Sequence, residues 1–318
     1  MPNLRDFIDC HLHVPYPLLR NPNESSAAAG VNAWLRMWKL TADPAVATMI
    51  ARTRPAELAS LISPHADADL LQIVANQIAY QFVFDDYAEE AGRCYPGRLL
   101  PTLCESVAIL RHGKQPRTPL GAALFDLLRQ VREYCTPAQT ERWVCSSSEY
   151  VHGLLYEAVA QAHPQHASRG DCISIRSLTA GVEPFYPLCE AAHPHELSRT
   201  ELHHPAIQRL SRLSADAAVW IPDLFSAVKE QRAGTMINLA LAYQREHQCS
   251  LQVAVFHAIK QINDTIVEFQ HLYAQLRPDL SPAAISYVEG MAGWIRGCYH
   301  WSRTVPRYAD VVTVPAGP

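Results

Sequence analysis

Strict alternation of apolar and polar residues is almost missing from this chain, which argues against half-buried strands. Only 13 glycines punctuate its 318 residues. No uninterrupted apolar stretch reaches the roughly 18 residues of a membrane-spanning helix, so none is expected. The N-terminal MPNLRDFIDCHLHV lacks an apolar run behind a basic start, so no secretory leader is expected either. No run of five or six like charges occurs. With a net charge of −4 and a pI near 6.4, the chain offers no basic field for nucleic acid, and small molecules are the expected partners. Nine cysteines (10, 94, 104, 135, 145, 172, 189, 249 and 298) include no CxxC pair and are odd in number. That excludes a disulfide framework or a zinc ribbon and suits reduced thiols in a cytoplasmic protein. No repeat of fixed period is present, so a solenoid is not expected.

What is present is helical periodicity. Segments such as DADLLQIVANQIAYQFVFDDYAEEA, PLGAALFDLLRQVREYC, SEYVHGLLYEAVAQA and LQVAVFHAIKQINDTIVEFQHLYAQL carry apolar residues at helical spacing. Caps or first-turn prolines stand ready at TADPAVA, SPHADADLL, TPAQTE and LSPAAISY. The expectation is an all-α fold, one domain over residues 1–318, with an irregular N-terminal segment over 1–25. The Pro- and His-rich piece VEPFYPLCEAAHPHELSRTELHHP reads as an irregular connection rather than a domain linker.

Within the N-terminal segment, FIDCHLHVP is similar to the first strand of a metal-dependent amidohydrolase barrel, through His11 and His13. Strands do not alternate with helices downstream, so that motif lacks its context. An extended segment packed over helices is expected instead. The histidines at 193–196 and 203–205 show no ligand spacing. INDTIVEFQ offers Asn263 and Asp264 but then Val267, and reads as helix surface.

The acidic stretch FVFDDYAEE closes a strongly apolar helical run. Asp85 with Glu89, and Asp86 with Glu90, stand at i,i+4, where like charges share a side of the helix and repel. A solvated helix end would tolerate this; a divalent cation would relieve it, and Mg2+ prefers oxygen donors and commonly holds substrate phosphate as well. Phe82 and Phe84 lead directly into the acids, which favours a cavity mouth. Further on, WIPDLFSAVKE places Ser226 and Glu230 one turn apart on one face. The position one turn earlier is Pro222.

These residues together resemble the class I terpene cyclases of microbial type. DDYAEE resembles that family's first aspartate-rich motif, whose carboxylates bind magnesium that grips an isoprenyl diphosphate. WIPDLFSAVKE is similar to its second metal motif, Asn-Asp-x-x-Ser-x-x-x-Glu, with Asp223, Ser226 and Glu230 in register. WSRTVPRY resembles the tryptophan-led segment ending in an Arg-Tyr pair, and Arg176 in ISIRSLTAG stands where the family's diphosphate-sensing arginine does.

The resemblance implies a single-domain class I terpenoid synthase helical bundle around a central active-site cavity, several Mg2+ ions, and a small-molecule isoprenyl diphosphate substrate. It implies that Asp85, with Asp86 and with Glu89 or Glu90, binds metal, and that Ser226 and Glu230 share another ion. Arg176, Lys229 and Arg307 would hold diphosphate oxygens, with Tyr308 as a hydrogen-bond donor. Thr179 and Ala180 would link diphosphate binding to ionisation at a helix break, and the Ala180 carbonyl would face the cation. Farnesyl diphosphate is the favoured substrate and geranylgeranyl diphosphate the next; a homodimer is left open, since dimers are frequent among such proteins.

Ionising an allylic diphosphate separates a carbocation from a multiply charged leaving group. Metal ions and fixed cations stabilise the departing charge, and aromatic faces stabilise the carbocation by about 0.5–2 kcal/mol each. Phe82, Phe84, Phe225 and Trp301 are the candidates, against the plainer reading of each as core.

Pro222 stands where the second motif calls for asparagine, and proline has no amide oxygen to offer a metal. Three consequences are open: water completes the site, Asp223 or a backbone carbonyl rotates in, or the site is impaired. The first is expected, because Mg2+ usually keeps several waters. The alternatives to a cyclase are an impaired or non-catalytic diphosphate-binding descendant and an isoprenyl chain-elongating synthase, which would need a second DDxxD motif that is absent here.

Overall fold

The computed structural model describes residues 4–92 and 95–309. Among these, helices account for all the regular structure and no strand occurs. The N-terminal half holds α1 (Leu4–His11), α2 (Glu24–Met37), α3 (Pro44–Thr53), α4 (Pro55–Ile62), α5 (Ala68–Gly92), α6 (Leu100–His112) and α7 (Pro119–Tyr134). It is followed by α8 (Pro137–Ala162), α9 (Arg169–Thr179), α10 (Tyr186–Ala191) and α11 (Arg199–Leu202). The chain closes with α12 (Pro205–Ala233), α13 (Leu239–His247), α14 (Leu251–Leu276) and α15 (Pro282–Thr304).

The expected helix starts are where the caps form. Asp43 accepts from Ala45 N, Thr136 forms a capping box with Gln139, Ser281 accepts from Ala284 N, and Asp67 Oδ1 accepts from Leu70 N. Such a cap contributes about 1 kcal/mol relative to alanine. Prolines at the first helical positions of α3, α8 and α15 use their fixed φ without giving up a needed N–H.

A main apolar core runs from Leu4 to Tyr308, with a small satellite cluster of Ala160, Cys172, Ile237 and Ala242 beside it. Its centre is α12, which packs along α15 and α14, while α5 lies against α4, α2 and α7, and α8 against α9 and α6. Both α5 and α12 are buried through most of their length. Their C-terminal ends carry the acidic stretch and the Ser226–Glu230 pair.

The N-terminal segment is more regular than expected. Residues 4–11 form α1 because Leu4 and Ile8, one turn apart, are both buried. The segment after it has no regular structure, and Asn263 fastens it: its Nδ2 donates to His11 O at 2.8 Å and its Oδ1 accepts from His13 N at 2.9 Å. His11 and His13 are exposed. The Pro- and His-rich connection likewise contains the short helices α10 and α11, the latter started by a capping box of Ser198 and Glu201. Cys94 lies outside the described residues; the other eight cysteines are unpaired. No helix among the described residues is long and apolar enough to cross a membrane.

Candidate active site

A cavity of about 250 Å3 opens between the C-terminal halves of α5 and α12, with α8, α9, α15 and the turn after α15 completing its wall. From α5 it takes Phe82, Asp85 and Glu89, which recur at i,i+3/i+4 spacing on one face. Asp86 and Glu90 lie on the adjoining face and do not line it. Of the two glutamates left open, Glu89 lines the cavity and Glu90 does not.

From α12 the cavity takes Ala218, Val219, Pro222, Ser226, Lys229 and Glu230. The helix runs unbroken through Pro222, which has no N–H for the carbonyl of Ala218 to accept. Arg176 and Thr179 arrive from α9, with Ala180 directly after it. Trp301 comes from α15, and Arg307 and Tyr308 come from the turn after it. Residues separated by more than 200 positions in sequence thus share one wall.

Asp223 is placed differently. It is fully buried and does not line the cavity. Its Oδ1 takes both Nε and Nη2 of Arg176 at 2.9 Å, and its Oδ2 accepts from Leu239 N at 2.9 Å. It holds an arginine and the start of α13.

The break after Arg176 is present. Helix α9 ends at Thr179, and Gly181 follows with φ +60°. A side chain there would be strained by the backbone alone, and a Cβ would lie 2.6 Å from Gln81 Nε2. Gln81 Nε2 donates to the Gly181 carbonyl at 3.1 Å, tying the break to α5.

The aromatic candidates divide. Phe82 stacks on Trp301 with centroids 5.7 Å apart, and Trp301 meets Tyr308 edge-on at 5.6 Å. The guanidinium of Arg307 lies 5.2 Å from the Phe82 centroid. Phe84 and Phe225 do not line the cavity: Phe84 packs between Tyr80 and Tyr150, and Phe225 between Tyr299 and Tyr308. They are core residues. Phe185 and Trp294, which no motif marked, do line it.

A third polar stretch also went unmarked. Tyr150, Leu154, Glu157, Ala158 and Gln161 present one face of α8 to the cavity. Within the apolar-periodic SEYVHGLLYEAVAQA, the signal was two polar residues on the buried stripe. Glu157 Oε2 and Thr179 Oγ1 are buried and, among the described residues, make no hydrogen bond of ordinary geometry. Gln161 Nε2 donates to Gly234 O at 2.7 Å and its Oε1 accepts from Met236 N at 2.8 Å. These bonds clamp the turn between α12 and α13, where Gly234 adopts φ +74°.

Burial dominates the electrostatics of the acids that face the cavity. Burial pushes the Asp85 carboxyl up to about 6; Arg176 and Arg307 oppose the shift, and Asp86 and Glu89 add to it. Burial, reinforced by Asp85, raises Glu157 to about 8. Burial disfavours the charge on Arg176, but Asp223, Glu157 and Glu230 outweigh it and raise its pKa.

Among the described residues, no three His, Cys, Asp or Glu side chains converge to form a protein metal cage. The side-chain oxygens that α5 and α12 bring to the cavity are those of Gln81, Asp85, Glu89, Ser226 and Glu230. Sparse oxygen donors opposite one another suit a hard cation that keeps waters and takes phosphate oxygens as further ligands.

Comparison with known proteins agrees with this geometry. The family model described as terpene synthase family 2, C-terminal metal binding, matches residues 77–268. The (−)-α-amorphene synthase of Streptomyces viridochromogenes, which cyclises (2E,6E)-farnesyl diphosphate, is 70% identical over 99% of this chain and 93% of its own. A germacradien-6-ol synthase from Streptomyces pratensis is 26% identical over 96% of this chain and 88% of its own. The crystal structure of germacradien-4-ol synthase from Streptomyces citricolor superposes with a TM-score of 0.81 at 27% identity, covering 93% of this chain and 99% of that one. With its helical bundle, its motifs and these relatives, the chain belongs to the microbial class I terpene synthases.

Proposed function

We propose that the protein is a Mg2+-dependent cyclase of farnesyl diphosphate that yields a cyclic sesquiterpene hydrocarbon, α-amorphene by its 70% likeness to the Streptomyces viridochromogenes enzyme. One observation carries this reading. Asp85 and Glu89 of α5, the Ser226–Glu230 pair of α12 and the cations Arg176, Lys229 and Arg307 all face one cavity, whose wall also carries Phe82, Phe185, Trp294 and Trp301.

Asp85 and Glu89 from one side, and Ser226 and Glu230 from the other, would hold the metal ions. When bound, Mg2+ supplies Lewis-acid charge to the diphosphate oxygens. Arg176, Lys229 and Arg307 donate to the same oxygens, and the Tyr308 hydroxyl adds a neutral donor. Together they stabilise the charge that collects on the leaving group as the allylic C–O bond breaks.

Phe82 and Trp301 then present aromatic faces to the carbocation, while Val182, Phe185 and Trp294 keep water from it. Transfer of a proton from the carbocation to the released pyrophosphate closes the sequence as a hydrocarbon. Asp223 serves by holding Arg176 at the rim rather than by binding metal. The 70% identity to an enzyme that cyclises farnesyl diphosphate supports the C15 substrate over the C20 one. The free thiols suit a cytoplasmic setting.

Turnover measured on geranyl, farnesyl and geranylgeranyl diphosphates tests the substrate. Farnesyl diphosphate is expected to be cyclised with the highest kcat/KM, and preferential turnover of the C20 substrate would overturn the assignment.

A further inference from the structure

The side chain of Asn238 is buried to 1% exposure at the start of α13. Its Oδ1 caps that helix, accepting from Ala240 N at 2.9 Å and Leu241 N at 3.1 Å. A cap needs only this oxygen. The amide nitrogen turns back to α12, where it donates to Asp223 O at 2.9 Å and to Glu230 Oε2 at 2.8 Å.

The contact with Glu230 has a particular consequence in this chain. Pro222 withholds the amide that would stand one turn before Ser226, so Ser226 and Glu230 are the oxygen donors that α12 presents to the cavity. A glutamate has three side-chain torsions to fix, and with fewer neighbours to share an ion, its orientation matters more. Both protons of the Asn238 amide are committed, one to a backbone carbonyl within a rigid helix and the other to Oε2. Oε2 is thereby tied down, and Oε1 is left for the cavity. The amide itself is fixed from behind by the N-terminus of α13, and Leu239 N holds Asp223 Oδ2 at the next residue.

We infer that Asn238 is a positioning residue for the second metal site: it sets the rotamer of Glu230, and so takes over from outside the coordination sphere part of what Pro222 removes from inside it. The inference rests on the proposed role of Glu230 as a metal ligand. Partners of this kind that orient a ligand typically change metal affinity by about 10–100-fold when removed.

Serine and aspartate cap helices about as well as asparagine. Asn238→Ser therefore keeps the cap but cannot reach Glu230 with a donor, and Asn238→Asp keeps the cap and sets a like charge against it. Binding of Mg2+ in the presence of inorganic pyrophosphate, measured by calorimetry, reads the site without turnover. Both variants are expected to bind at least about tenfold more weakly than the wild type. In a Glu230→Gln background, the further change at 238 is expected to have no added effect, because the residue acts through that carboxylate.

Folding is checked by circular dichroism, and either variant alone decides the question if the other fails to fold. If both fail, the exchange Asn238→Asp with Glu230→Gln restores a donor and an acceptor between 238 and 230 with roles reversed, though not the bond to the Asp223 carbonyl, and is expected to recover part of the thermal stability lost in Asn238→Asp; no recovery overturns the pairing. Wild-type affinity in a folded Asn238→Ser or Asn238→Asp protein, with Glu230→Gln still weakened, would show that Asn238 only caps α13 and would leave the role of Glu230 standing. Equal affinity in wild type and Glu230→Gln would overturn that role and this inference together.

Discussion

Arg176 and Asp223 close a salt bridge behind the cavity wall, with Nε and Nη2 of the guanidinium both 2.9 Å from Oδ1. The carboxylate is about 1% exposed and the guanidinium about 22%. The arginine thus reaches the cavity from an anchored base, and the second aspartate oxygen is spent on the backbone of α13.

Removing the negative charge from that pair leaves a mostly buried guanidinium without its hydrogen-bonded partner, with Glu157 and Glu230 as the remaining charges that favour it. Asp223→Ala is expected to destabilise the fold by about 3 kcal/mol and to raise KM for the diphosphate substrate. Urea denaturation and steady-state kinetics check the two effects separately. Unchanged stability would mean that Arg176 finds another partner.

Asp85 and Asp86 are neighbours with different surroundings. Asp85 lines the cavity and Asp86 does not. Asp85→Asn is expected to lower kcat by about 100-fold or more, on the scale of losing one preorganised charge-stabilising group. Asp86→Asn is expected to cost far less. Equal losses in the two would contradict the assignment of faces on α5.

How much of this was legible in the sequence depended on separation along the chain. Asp85 with Glu89, and Ser226 with Glu230, are pairs within one helix, and a spacing of four fixes their relation without any fold. The cap residues at 43, 67, 136 and 281 are local in the same sense. The partnership of Arg176 with Asp223 spans 47 residues, and Asn238 reaches Glu230 only because the chain reverses at Gly234. No periodicity encodes either. Phe84 and Phe225 were indistinguishable from Phe82 by type; a rotation of about 100° per residue around the helix axis separates wall from core. Glu157 was hidden because one acid in an apolar stripe looks like an exposed position until a neighbour covers it.

Pro222 gives a test by gain. Pro222→Asn restores an amide oxygen on the cavity wall and a backbone N–H to α12. The Mg2+ concentration needed for half-maximal turnover is expected to fall several-fold. An unchanged requirement would place the metal away from position 222.

The pH dependence of the metal-free protein has a definite sign. Burial, reinforced by Asp85, raises Glu157 to about 8, so the folded chain holds this proton more tightly than the unfolded one. Its contribution to stability is complete below the unfolded value of about 4.3 and is lost as pH rises through about 8. Asp85 and Asp223, each pushed up to about 6 chiefly by burial, act in the same direction at lower pH. Without metal, the melting temperature is expected to fall between about pH 5 and pH 9. Glu157→Gln is expected to flatten the upper part of that decline, and an unaltered slope would remove Glu157 as its source.

The most direct test is turnover itself. Purified protein is incubated with farnesyl diphosphate in Mg2+ and, separately, in EDTA, and the extracts are analysed by gas chromatography–mass spectrometry. A cyclic C15 hydrocarbon formed with Mg2+ and absent with EDTA is expected. Intact farnesyl diphosphate after incubation of folded protein with Mg2+, or equal product in EDTA, would contradict the reading of this cavity as a metal-dependent cyclase site.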